Sequence, residues 1–214
     1  MLSLRNTFSM SAQHESNKQP LPLWKSKKGI LLQVIIVILP SVMLLKSGTL
    51  LLAGVACSLL LSWIGLRLQK LNWSNVGLKK PTSVIRIILI AIIATLVLLP
   101  LSLELRNAVT SIAHEPPDLH AFKAIEGNLK ALAIGLIVVW IFGAFAEEML
   151  FRGFLTNSFY KLFPEKNSND RLKWSLSLLL TSILVAFGHS YQRITGMIIT
   201  GVLGFCFGLI YLMR

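Results

Sequence analysis

Residues 144–153 read AFAEEMLFRG, so two adjacent carboxylates, Glu147 and Glu148, and a guanidinium, Arg152, follow directly on the apolar run ALAIGLIVVWIFGAFA (131–146). An ionisable group at bilayer depth is costly and marks a functional site by default. On a helix, residues four apart share a face, which lets Glu148 and Arg152 pair with the acid on the favourable N-terminal side. At 3.6 residues per turn Glu147 points about 100° away from its neighbour and follows the small residues Gly143 and Ala144. A second polar group, His189, stands at the end of the next apolar run, in LVAFGHSYQ. Alone, such a histidine is an interhelical hydrogen bonder, and a lone glutamate marks the headgroup boundary. Together they can do more. A desolvated carboxylate can act as general base toward water, and a nearby imidazole can share the proton or hold the water, a route to hydrolysis without a nucleophilic side chain. Donors such as a second imidazole or an amide would have to hold the developing oxyanion.

That chemistry requires a membrane, and composition supplies one. Of 214 residues, 54% are hydrophobic and 14% charged, with mean hydropathy +0.69, against about 25% charged in ordinary soluble domains. Backbone groups in lipid must be satisfied within each segment, so the expected fold is all-α: a polytopic transmembrane helix bundle. About six spans are expected, at 30–45, 49–66, 84–103, 131–155, 174–190 and 194–213, several of them short against the roughly 20 residues a bilayer needs. The chain divides into a polar basic segment, 1–29, and a transmembrane domain, 30–214.

The net charge of +12 does not point to nucleic acid, because the basic residues are spread over alternate connections. Lys18, Lys25, Lys27 and Lys28 precede the first span. Arg67, Lys70, Lys79, Lys80 and Arg86 follow the second, and Lys161, Lys166, Arg171 and Lys173 follow the fourth. The other connections hold Lys46, a mixed stretch with Glu104, Glu115, Asp118 and Glu126, and Arg193. The positive-inside rule then places the amino terminus in the cytoplasm. Residues 1–10 lack the apolar core of a cleavable signal peptide, so the first span is expected to act as an uncleaved anchor. WSNVGLKKP (73–81) reads as a cytoplasmic loop broken by Gly77 and Pro81. Cys57 and Cys206 lie in apolar runs without metal or redox spacing and read as small buried hydrophobes. His14, His114 and His120 lie in polar stretches and read as solvated surface.

The fourth helix is expected to reach Phe163, before Pro164, and the fifth to begin near Lys173. Residue 147 lies 16 positions before 163 and residue 189 lies 16 after 173. At about 1.5 Å per residue both stand about 24 Å from the connecting loop. An antiparallel hairpin therefore sets Glu147 and His189 level.

Glu-Glu-x-x-x-Arg at 147–152, followed by a histidine at the end of the next span, resembles the CAAX protease and bacteriocin-processing family of intramembrane endopeptidases, which includes the Ras-converting enzyme. The flanks WSNVGLKKP and the glycine-rich run to GLIYLMR, with Gly201, Gly204 and Gly208, are similar too, so the resemblance spans roughly residues 70–214. It implies a glutamate-type endopeptidase of the CAAX prenyl protease kind acting on a membrane-associated peptide or protein. Glu147 would be the water-activating base, Glu148 and Arg152 its supporting partners, and His189 the partner from the next span. Cofactors are left unknown; the two carboxylates and the imidazole could begin a zinc shell, but a metal-free glutamate mechanism needs fewer assumptions. The implied partners are the lipid bilayer and the peptide substrate, with no nucleic acid, and the implied location is a cell membrane crossed several times, a bacterial inner membrane by expectation. The chain departs from the family at Val185, where a Phe four residues before the histidine is usual. It also stops at Arg214, where members continue into a span bearing a further His and an Asn or Asp, and it is therefore expected to be a truncated product. Two other functions fit the same residues: a non-catalytic bacteriocin-immunity or scaffold protein, and a small transporter with the glutamates as proton carriers.

Overall fold

A computed structural model describes residues 22–44, 49–164 and 169–213. These form six long helices, with no strand among the described residues. They are α1 (Lys27–Met43), α2 (Thr49–Leu68), α3 (Val84–Ala113), α4 (Leu129–Leu162), α5 (Asp170–Gly188) and α6 (Arg193–Leu212). The fold is the expected polytopic helical bundle. Five of the helices, α2 to α6, are long and apolar enough to cross a membrane. The first expected span falls on α1, which has 17 residues. The third span runs ten residues further than expected, to Ala113. Lys18, Lys46, Lys166 and His14 lie outside the described residues.

Polar residues in the connections start the helices. Ser26, Ser83, Asn128 and Asn169 each accept a hydrogen bond from a backbone N–H of the first turn of α1, α3, α4 and α5, at 3.1, 3.3, 3.0 and 2.9 Å. Such caps satisfy donors that a helix leaves without an intrahelical partner. In apolar surroundings those donors have no water to turn to.

Helix α1 packs on α2, and α5 packs on α6. The second pair is held close by glycines. A Cβ at Gly201, Gly204 or Gly208 would stand 3.0, 3.3 or 2.5 Å from side-chain atoms of Ala186, Val185 and Leu178 on α5. Small residues let backbones approach in this way where lipid gives no hydrophobic drive to association. Helix α3 leans on α6 and has no buried residue, so its apolar side chains face outward.

Helix α4 runs through the centre with its second half. Its middle touches α2, its last two turns touch α1 and α5, and its core residues Leu150, Phe154 and Leu155 join Val34, Val37, Leu66 and Val76 in one buried cluster. The turn Trp73–Val76, expected to be a cytoplasmic loop, is folded onto this cluster. Asn72 and Asn75 cap each other across it, and Val76 is buried. Gly77 follows at φ 111°, where a Cβ would strike the Tyr211 ring at 2.7 Å. Tyr211 donates its hydroxyl to Val76 O at 2.9 Å and accepts from Asn157 Nδ2 at 3.0 Å, which binds the turn to α4 and α6 together.

Candidate functional site

The winding of α4 changes where its charges begin. Residues Leu129–Val138 are α-helical, Val139–Ala146 and Glu148–Leu155 are wound as π-helix, and Thr156–Leu162 return to α. Hydrogen bonds that close between i and i+5 are uncommon and recur at functional sites. They also change which side chains share a face, because more than 3.6 residues complete each turn. The residue five positions on lies nearer the starting face than it would in an α-helix. Glu147 stands within electrostatic reach of Arg152, five positions on, while Gly143 and Ala144 are both exposed.

Arg152 is the buried centre of the cluster, 4% exposed. Its Nη1 lies 3.1 Å from Glu148 Oε1, the pair expected from the spacing. Its Nη2 donates to Gly204 O on α6 at 2.9 Å, and its guanidinium stands 6.0 Å from the centre of the Phe207 ring. One side chain thus spans α4 and α6. Glu148 is half-exposed beside it. Glu147 is partly buried and within the electrostatic reach of both Arg152 and Glu148, and it forms no ion pair among the described residues.

The histidine arrives by an antiparallel register of α4 and α5. Tyr160 stacks on Trp174 with ring centres 4.2 Å apart, and Thr156 donates to Thr181 at 3.1 Å. One turn further along, Arg152 Nη2 and Val185 Cγ1 converge on the same point over Gly204. Along this register the chain runs on toward the glutamates of α4 and toward His189, just past the end of α5. Helix α5 ends at Gly188, so His189 sits in the turn between α5 and α6, not on a span. Its Nδ1 donates to Val185 O at 2.9 Å, which leaves Nε2 as the free lone pair. Burial pushes the imidazole below its ordinary pKa, offset in part by that bond. This favours the neutral ring.

Tyr191 was not singled out by sequence. Its ring stands 5.9 Å from that of His189, its hydroxyl accepts from Gln192 Nε2 at 2.9 Å, and Glu147 acts on it electrostatically. No pattern of spacing marks it, since it lies in a three-residue 3₁₀ turn, Ser190–Gln192. His114 and His120 are exposed, as expected. Among the described residues no group of three His, Cys, Asp or Glu side chains could hold a metal ion, so Glu147, Glu148 and His189 do not assemble a shell. Of the two cysteines, both free, Cys57 is exposed and Cys206 intermediate, where burial was expected.

An apolar groove of about 450 Å³ opens between α2, the 73–78 turn and α4, lined by Leu60, Trp63, Trp73, Leu78, Phe145 and Met149. Phe145 and Met149 bracket Glu147 and Glu148 in the chain, so the groove and the charges share one stretch of α4.

A multi-pass membrane protein whose fourth helix carries a Glu-Glu-x-x-x-Arg cluster centred on a buried arginine is the class that fold and site define. Residues 129–214 match the family model Rce1-like, described as type II CAAX prenyl endopeptidase Rce1-like. The match begins at α4, where the resemblance read from the motif had been extended to the turn at 73–81. No curated protein and no solved structure matches the chain.

Proposed function

We propose that this protein is an intramembrane endopeptidase of the CAAX type that cleaves a membrane-associated peptide with an apolar anchor. The observation that carries the reading is Glu147. It is a partly buried carboxylate without an ion pair among the described residues, beside the clamped Arg152 and acting electrostatically on Tyr191, whose ring stands 5.9 Å from that of His189, in the segment that matches the endopeptidase family.

In this reading a water molecule lies between Glu147 and Nε2 of His189. Glu147 takes one proton as the water oxygen attacks the peptide carbonyl carbon, and the carbonyl oxygen becomes an oxyanion. When the C–N bond breaks, the proton held on Glu147 passes to the leaving amine, and the carboxylate is restored. Arg152 keeps a positive charge close to Glu147 without forming a direct pair, while Glu148 balances that charge. The substrate's apolar anchor lies in the groove beside Phe145 and Met149, which holds the scissile bond near the carboxylates. The membrane in question is proposed to be a bacterial inner membrane.

The test is cleavage of a prenylated CAAX-type peptide by the purified protein in liposomes, followed by mass spectrometry. Wild-type protein should release the C-terminal fragment, and Glu147→Gln should lower the rate by at least about 100-fold, as removal of a general base does. Equal cleavage by both proteins would refute the assignment of Glu147.

A further inference from the structure

Two carboxylates outside the matched segment reach the turn that carries His189. The connection after α3 is tied to the start of α6 through Glu115 and Asp118. Glu115 Oε1 accepts from Ile194 N–H at 3.2 Å, and its Oε2 lies 3.8 Å from Arg193 Nη1. The backbone oxygen of Glu115 accepts the Thr195 hydroxyl at 2.6 Å. Asp118 donates its N–H to Gln192 O at 3.1 Å and sets Oδ2 3.7 Å from Arg193 Nε. All of these contacts meet the chain at residues 192–195.

Arg193 is also where the backbone is strained. It has φ 64° and ψ −174°, a region populated almost only by glycine. Such a conformation persists only when its surroundings over-determine it, and it clusters at sites where geometry matters. Here it ends the turn that carries His189 and Tyr191 and redirects the chain into α6. The ion pairs are partly exposed, and attraction of that kind alone contributes little. Their convergence with three backbone-linked hydrogen bonds on one strained junction is what gives them purpose.

We infer that Glu115 is a positioning residue of the candidate site: by holding Arg193 and the first turn of α6, it sets where His189 and Tyr191 stand against Glu147. Its consequence for catalysis rests on the endopeptidase reading; its consequence for position does not. The inference also extends the site beyond the family match, since Glu115 and Asp118 precede residue 129.

Cross-linking reads position directly. In a Cys57→Ser, Cys206→Ser background, the pair Glu147→Cys with His189→Cys should react with a short bifunctional reagent, and adding Glu115→Ala should slow that reaction severalfold. The control pair Thr156→Cys with Thr181→Cys, on the same two helices but far from the latch, should react equally with and without Glu115→Ala. In the cleavage assay Glu115→Ala should lower kcat by about 10- to 100-fold, the effect of a misplacement near 1 Å, with KM and the unfolding midpoint unchanged. A disulfide from Asp118→Cys with Gln192→Cys, replacing the latch covalently, should restore it. An unchanged 147/189 reaction overturns the inference and leaves the endopeptidase reading to the Glu147→Gln result. A parallel loss in the control pair overturns it as well, since Glu115 would then serve general stability. Absence of cleavage by every variant refutes the endopeptidase reading, while the cross-link still decides position.

Discussion

Replacing Arg152 separates two accounts of what holds α4 to α6. The side chain makes one partly exposed ion pair, to Glu148, and one buried hydrogen bond, to Gly204 O. A partly exposed pair contributes about 0–1 kcal/mol, whereas a hydrogen bond from a charged donor contributes about 1.5–3 kcal/mol. Arg152→Lys keeps the charge and its desolvation cost, but an ammonium cannot fork between a carboxylate and a carbonyl on another helix. It should therefore lose the Gly204 bond and cost about 2 kcal/mol. Arg152→Met removes the bond and the charge together but leaves Gly204 O and the carboxylates without their partner, and breaking a buried pair from one side costs about 3–5 kcal/mol. The less conservative substitution should thus be the worse tolerated. Unfolding of each purified variant by SDS titration in mixed micelles, followed by circular dichroism, gives the ranking. If Arg152→Lys costs as much as Arg152→Met, the retained charge contributes nothing and the forked hydrogen bond carries the whole effect.

Gly208→Leu should lower stability by about 1–3 kcal/mol in the same titration, the usual effect of overpacking, because even a Cβ there would press on Leu178. Tyr211→Phe should cost about 1 kcal/mol and make the 73–76 turn more accessible to protease, since its hydroxyl joins Val76 O to Asn157. A reporter enzyme fused after residue 75 should read cytoplasmic and one inserted near residue 117 external; the reverse pattern would overturn the orientation drawn from the basic connections.

Patterns local to one helix were legible in the sequence. The apolar runs placed the bundle, and the i, i+4 spacing placed the Glu148–Arg152 pair. Three features were not legible, each for a physical reason. The π winding of α4 leaves no periodic signature where it begins, because in VWIFGAFA (139–146) apolar residues lie on every side and no polar face exists to reveal the change of pitch. The docking of the 73–76 turn depends on a tyrosine 135 residues further on. The Glu115–Arg193 latch joins residues that look like unrelated connection charges until α3 is laid against α6. Contacts between distant segments follow from packing, and packing is set by small residues such as Gly204 whose partners one chain does not name.

The link between Arg152 and Gly204 also orders events during synthesis. The two residues lie 52 positions apart, so at the usual pace of translation the carbonyl emerges roughly 3 to 10 s after the guanidinium. Through that interval a cation has already entered an apolar segment with its eventual acceptor still inside the ribosome. Glu148 is the one tie that Arg152 can make from its own helix, and the two can enter the lipid as a single neutral unit. A carboxylate of small weight in the finished bundle would then matter most before the bundle exists, as an escort for the arginine while α6 is still being made.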